Sequence, residues 1–123
     1  MRSWVWNGSL RPQVPFREGI LAGMNAYTVI LSPEPDGPGF AVIVPAMPGA
    51  VTQGDNRAEA LANAAEVMAV WLEVSADHGQ APLAESRQLI AAQVESVLED
   101  RDEEGWDRTI ELAMVMPAVA IPA

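Results

Sequence analysis

The sequence predicts a small α+β protein: a three-stranded meander, an amphipathic helix, a second helical segment and a fourth strand. Two observations carry this prediction. Between residues 26 and 54, short runs of β-branched and apolar residues alternate with dense clusters of turn formers. A stripe of apolar residues at helical spacing then begins after Asn56. The chain has 123 residues and no cysteine, so it is long enough to bury a core without disulfides.

The three predicted strands are bounded by turn residues. The Asp36-Gly37 pair is the strongest hairpin signal in the chain. Pro45 can end the second strand because it has no backbone N–H to donate to a ladder. Gly54 closes the third strand. The predicted segments are, in order, a strand over 26–31, a turn over 32–39, a strand over 40–44, a turn over 46–49 and a short strand over 50–53.

The first helix is the best-marked element of the sequence. Asn56 can cap its N-terminus, and Glu59 can complete a capping box three residues later. We expect the helix to end near Asp77, because Gly79 can adopt the left-handed conformation that follows a helix. The apolar stripe consists of Leu61, Ala64, Ala65, Met68, Trp71 and Leu72.

The last third of the chain predicts a weaker helix and a final strand. The helix spans residues 84 to about 100, and the acidic run 99–105 is expected to be an exposed loop. Residues 108–116 alternate and then become wholly apolar, which predicts the fourth strand. If both helices cover one face of the sheet, the other face is left open. We therefore expect a homo-oligomer that forms through the sheet or its edge strands.

The N-terminal segment differs from the rest of the chain. Residues 1–23 hold three of the seven arginines, one acid and two of the four tryptophans, without helical or alternating period. We hypothesise that Met24 is the natural start and that residues 1–23 are a leader or a mis-assigned upstream extension. The working chain is then a single domain over 24–123. Removing three arginines and one glutamate takes the net charge from −10 to −12.

The charge indicates which partners are favoured. The net charge is −10 and every basic residue is arginine. Such a surface repels phosphate, so no direct nucleic-acid binding is expected, whereas a basic protein partner is favoured. The alternative that acidity only keeps the protein soluble stays open. No apolar run is long enough for a membrane span or typical of a signal peptide, so we expect a cytoplasmic protein without membrane contact.

Residues 39–56 (GFAVIVPAMPGAVTQGDN) resemble the signature hairpin of the HicB-type antitoxins, and the likeness continues through Glu59-Ala60 to Trp71-Leu72. The resemblance implies a partial RNase H-like fold. It also implies an antitoxin that binds and neutralises a small basic HicA-type ribonuclease, a toxin that cuts messenger RNA. Many members carry a C-terminal DNA-binding element. Here the sequence stops at Ala123, directly after the last strand, so we expect that element to be missing.

Candidate interface residues are few, and each has a structural alternative. The predicted turn after the second strand can face the partner, although its residue types also satisfy turn geometry alone. Trp71 is either a core residue or an interface anchor. Trp106, beside the acidic run, is a candidate interface aromatic or a cap of the second helix. The candidate partner-facing turn consists of Pro45, Pro48, Gly49 and Gln53.

Two other functions remain alternatives. One is a solitary HicB-like oligomeric interaction or regulatory module with no cognate toxin. The other is an RNase H-like nuclease, but the two strands 26–31 and 40–44 carry no acid, and only Asp55 and Glu66 remain nearby. His78 is the single histidine, and we expect it to lie on the surface at a helix end. We therefore expect no enzyme activity, no cofactor and no metal site.

Overall fold

The computed structural model describes residues 24–118, so the hypothesis about residues 1–23 concerns a segment outside the described part. Four strands form one antiparallel sheet in the order β3-β2-β1-β4. The predicted α+β class, with a meander, two helices and a fourth strand, is confirmed. The elements are β1 (Tyr27–Pro33), β2 (Phe40–Ile43), β3 (Val51–Gly54), α1 (Arg57–Asp77), α2 (Arg87–Glu103) and β4 (Glu111–Val115).

The β1–β2 hairpin extends beyond the predicted end of the first strand. Pro33 pairs in register with Phe40, and the amide of Glu34 donates to the carbonyl oxygen of Gly39 at 2.9 Å. This bond closes the turn two residues later than expected. Pro33 is tolerated at the end of the strand because proline there removes no ladder donor from the centre of the sheet.

Helix α1 packs on one face of the sheet. Alternate side chains of β1, namely Tyr27, Val29 and Leu31, are buried in the same cluster as the α1 residues Ala60 and Met68. The cluster also contains residues of β2 and of the turn that follows it. This single apolar layer is the main core of the molecule.

Gly54 lets α1 begin very close to the sheet. A Cβ atom added at Gly54 would lie 2.3 Å from the backbone nitrogen of Ala60 and 2.6 Å from its Cα atom. Both atoms belong to a helix backbone, which cannot turn aside as a side chain can. Glycine is therefore required where β3 meets the first turn of α1.

Helix α2 lies on the opposite face of the sheet, so the expectation that both helices cover one face is wrong. The other set of β1 residues, Thr28, Ile30 and Ser32, faces the α2 side of the molecule. The carboxylate of Glu85 accepts from the amide of Thr28 at 2.6 Å, and Arg101 donates to Ser32 Oγ at 2.8 Å. Ile30, between them, is fully buried but lies outside the α1 cluster. The apolar stripe of a helix does not specify which sheet face it covers.

The second helix is displaced along the chain relative to its predicted range. Ser86 caps it, its Oγ atom accepting from the amide of Leu89 at 3.0 Å. The helix continues to Glu103 and is followed by Gly105 at φ 74°. The prediction that 99–105 is an exposed loop is therefore wrong for residues 99–103. The run is held in the helix because one of its members, Arg101, is buried against the sheet.

The fourth strand is shorter than its predicted range of 108–116. Asp107 is held outside the strand, since its carbonyl oxygen and one carboxylate oxygen both accept from Arg101, the latter at 2.8 Å. Thr109 Oγ1 donates to the other carboxylate oxygen of Asp107 at 2.8 Å. These side-chain bonds give the backbone before Glu111 an alternative to the ladder.

Candidate protein-binding surface

The solvent side of α1 presents a row of acids around two valines. Glu66 and Glu73 are seven residues apart, so they lie on one side of the helix, opposite the buried stripe. Val70 and Val74 are 58% and 51% exposed beside them, and Asp77 continues the row by one turn. We call these five residues the α1 outer face. Exposed apolar side chains among charges are typical of a protein interface.

The α1 outer face is not neutralised by this chain. Within residues 24–118, none of its three acids forms an ion pair. The only arginine of α1, Arg57, lies at the N-terminal end and bonds to Glu111 on β4. That bond lowers the pKa of the Glu111 carboxyl, as hydrogen bonding to a carboxylate does. The arginine is therefore engaged with another carboxylate.

The helix dipole increases the negative potential of this face. The last turn of α1 contains Asp77 and no basic residue. The C-terminal end of a helix already carries a partial negative charge, so an acid there is unfavourable for the isolated chain. The side-chain nitrogen Nδ1 of the neighbouring His78 lies 2.9 Å from the carbonyl oxygen of Val74. Asp77 and the helix dipole thus both make the electrostatic potential negative at this end of α1, and a cationic partner would be attracted there.

Trp71 connects α1 to the turn between β2 and β3. Its indole Nε1 donates to the carbonyl oxygen of Pro48 at 2.9 Å, and its ring is half-buried against the core. Val74 lies one turn further along the helix, so it is a surface neighbour of Trp71. A cavity of about 370 Å³ opens beside the indole, lined by Pro48, Trp71, Gln80, Ala81 and Leu83. An indole at the rim of a cavity is a typical interface anchor.

The structure separates the four residues of the predicted partner-facing turn. Pro45 is buried, whereas Pro48 and Gly49 are exposed. Gly49 has φ +87°, a conformation that favours glycine for the turn itself. Gln53 is exposed on β3, where its carbonyl oxygen accepts from Asn63 Nδ2 at 2.7 Å. Of the four, only Pro48 bonds to the tryptophan and lines the cavity.

Asn56 and Glu59 are engaged at the start of α1. The amide of Glu59 donates to Asn56 Oδ1 at 2.8 Å. The side chain of Glu59 accepts from the amide of Asp55 at 2.6 Å, one residue before the capping-box partner expected from the sequence. Asn56 thus satisfies a free amide of the first helical turn and Glu59 satisfies an amide just before the helix, so both side chains have a role in the fold.

Trp106 lies at the end of α2, on the other side of the molecule. Its side chain is 36% exposed, and Arg101 Cζ lies 5.4 Å from the centre of its ring. Its backbone amide donates to the carbonyl oxygen of Arg101 at 2.8 Å. The tryptophan therefore covers the buried arginine and does not join the α1 outer face.

The arrangement supports binding chemistry. Within residues 24–118, no three side chains of His, Cys, Asp or Glu lie close enough together to hold a metal ion. None of the helices described is long and apolar enough to cross a membrane. The α1 outer face was not predicted from the sequence, although Glu59, Glu66 and Glu73 recur every seven residues. That spacing was the available signal.

Comparison with known proteins shows which family the chain resembles. A family model described as HicB_like antitoxin of bacterial toxin-antitoxin system matches residues 27–116. The UPF0150 protein Ta0767 of Thermoplasma acidophilum is 41% identical over 54 residues, which are 44% of this chain and 77% of that protein. No solved structure was found to match. The matched range contains the whole sheet and both helices.

Proposed function

Since the chain belongs to the HicB-like antitoxin family of bacterial toxin–antitoxin systems, we propose that it binds and neutralises a small basic ribonuclease of the HicA type, which cuts messenger RNA. The antitoxin acts as a binding protein in the cytoplasm, without catalysis and without a cofactor. It does not bind nucleic acid directly, because its own charge opposes phosphate.

The observation that carries the proposal is the un-neutralised α1 outer face. A ribonuclease needs lysine and arginine side chains to hold RNA phosphates. The carboxylates of Glu66, Glu73 and Asp77 are free to pair with the same cations. Binding there occupies the surface that RNA would use, and like-signed RNA is repelled at the same time. The antitoxin can therefore block RNA cleavage without contacting the catalytic residues of the toxin.

The neighbouring turn supplies the apolar part of the interface. Trp71 lines the cavity beside Pro48, and the exposed Val74 lies one turn further along α1. A partner side chain that enters this cavity is shielded from water, which is the setting in which interface residues contribute most. Charge steers the encounter, and the tryptophan region holds the complex.

Co-expression with a neighbouring gene product tests the proposal. The short reading frame beside this gene is expressed with a tag, if it encodes a basic protein, together with the full antitoxin chain. We expect co-purification, growth inhibition by the basic protein alone and rescue by the antitoxin. Messenger RNA cleavage in vitro should fall to background at equimolar antitoxin. A basic neighbour that is bound but not inhibited, or not bound, contradicts the proposal and favours a solitary interaction module.

A further inference from the structure

The cavity beside Trp71 combines an indole, apolar side chains and one polar side chain. It measures about 370 Å³ and is lined by Pro48, Trp71, Gln80, Ala81 and Leu83. We propose that it receives an arginine side chain of the basic partner, whose guanidinium lies against the indole and donates to the side-chain oxygen of Gln80. This assignment rests on the proposed function and deepens it, because it names the partner residue that the cavity selects.

Backbone hydrogen bonds hold the walls of the cavity in place. The amide of Gln80 donates to the carbonyl oxygen of Ser75, in the last turn of α1, at 2.8 Å. The amide of Leu83 donates to the carbonyl oxygen of Ala46, in the turn after β2, also at 2.8 Å. The connector is thereby fixed to the helix and to the turn. A side chain that enters the cavity therefore needs to order little of the protein, which favours binding.

The electrostatic potential at the cavity favours a cation. Gln80 lies just after the C-terminal end of α1, where Asp77 and the helix dipole both make the potential negative. Among the described residues, no arginine or histidine lines the cavity, so residues 24–118 supply no countercharge there. An apolar side chain of the partner would fill the space without using this potential, whereas a cationic one would use both.

The indole and the amide favour arginine over lysine. A guanidinium is planar, stacks on aromatic rings and is less strongly hydrated than an ammonium group. Within residues 24–118, the side chain of Gln80 forms no hydrogen bond, so its oxygen can accept one. The fold already contains one such pair, since Arg101 Cζ lies 5.4 Å from the centre of the Trp106 ring. In the same part of the chain, no cation lies over the ring of Trp71.

Titration of the full chain with two small amides of equal charge tests this preference. N-acetylarginine amide and N-acetyllysine amide are added to isotope-labelled protein. NMR follows the indole N–H of Trp71, which is identified by its loss in Trp71→Phe. We expect the arginine amide to shift this signal at a concentration at least about threefold lower than the lysine amide does. The indole signal of Trp106, which already faces Arg101, should not respond. Equal responses to both amides, or a stronger response to N-acetylleucine amide, would overturn the proposal.

A matched pair of glutamine variants assigns the response to the cavity. Gln80→Ala removes the acceptor and should weaken binding of the arginine amide at least about threefold, the value of one net hydrogen bond. Gln88→Ala removes an exposed glutamine of α2 and should leave the binding unchanged. Equal effects of the two variants would overturn the proposal.

The co-expressed basic protein separates this inference from the proposed function. When it is bound at saturation, it should prevent the arginine amide from shifting the Trp71 signal. A complex in which the amide still shifts that signal would overturn the inference and leave neutralisation intact. A basic neighbour that does not bind contradicts the proposed function, and the titration of the antitoxin alone then decides whether the cavity selects arginine.

Discussion

The indole nitrogen of Trp71 donates a hydrogen bond to the carbonyl oxygen of Pro48 at 2.9 Å. This bond ties α1 to the turn between β2 and β3. It also joins the α1 outer face to the part of the predicted turn that is exposed. The acidic helix face and the apolar cavity are therefore held in one arrangement before any partner binds, which reduces the ordering cost of binding.

Trp71→Phe keeps the ring and removes the donor. We expect the free energy of unfolding to fall by about 0.5–1.5 kcal/mol, the usual net value of one hydrogen bond. Urea denaturation followed by circular dichroism measures this change. Trp106→Phe is the control, because no described residue accepts from its indole N–H. An equal loss in both variants would show that ring volume, rather than the bond to Pro48, is responsible.

Gly54→Ala is expected to destabilise the fold by about 1–3 kcal/mol, because its Cβ atom would overlap the backbone of α1 at Ala60. Thermal unfolding measures the loss. Gly37→Ala is the matched control, since its Cβ atom would meet only the end of the flexible Glu34 side chain, at 3.1 Å. A Gly54→Ala protein as stable as the control would mean that α1 can move away from β3.

Arg101→Met is expected to loosen α2. The guanidinium is 2% exposed and donates to Ser32, to the carbonyl oxygen of Pro33 and to Asp107. Removing these bonds leaves the half-buried acceptors of Ser32 and Pro33 unpaired, at a cost of about 1–3 kcal/mol. Hydrogen exchange should accelerate in residues 87–103 more than in α1. Arg87→Met, an exposed arginine on the same helix, should leave exchange unchanged; acceleration there too would contradict the assignment.

Acid should selectively weaken the bond between Arg57 and Glu111. The arginine lowers the pKa of Glu111 from its ordinary value of 4.5, so the folded chain binds that proton less readily than the unfolded chain. The resulting stability is complete above 4.5 and is lost as the pH falls through the lowered value. We expect the difference in Tm between the wild-type protein and Glu111→Gln to shrink below that pH. A constant difference would contradict the linkage.

Local signals in the sequence predicted most of the fold. Asn56 marked the start of α1, and the Asp36-Gly37 pair marked the first hairpin. The side of the sheet taken by α2 was not predictable from its apolar stripe, because that choice depends on where the connector crosses the sheet. In the folded chain the amide of Leu83 donates to the carbonyl oxygen of Ala46, which holds the connector beside the turn after β2.

The acidic run around residue 101 shows a second limit. A segment with five acids and one arginine has the composition of a solvated loop, yet the arginine is buried and the segment continues the helix. Gly105 was a usable signal, since glycine commonly follows a helix end. The binding surface was harder to predict, because exposure and the absence of neutralising arginines are properties of the folded chain.

The affinity of the basic ribonuclease for Glu73→Lys/Asp77→Lys tests the central claim most directly. Calorimetry with the co-expressed toxin should show binding weakened at least about tenfold, because attraction becomes repulsion. The same variant should unfold at a higher temperature, since lysine suits a helix C-terminus by about 0.3–1 kcal/mol per site. Glu95→Lys/Glu99→Lys reverses two exposed charges on α2 and should leave the affinity within about threefold. Equal weakening by both variants, or by neither, would contradict the claim that the α1 outer face binds the toxin.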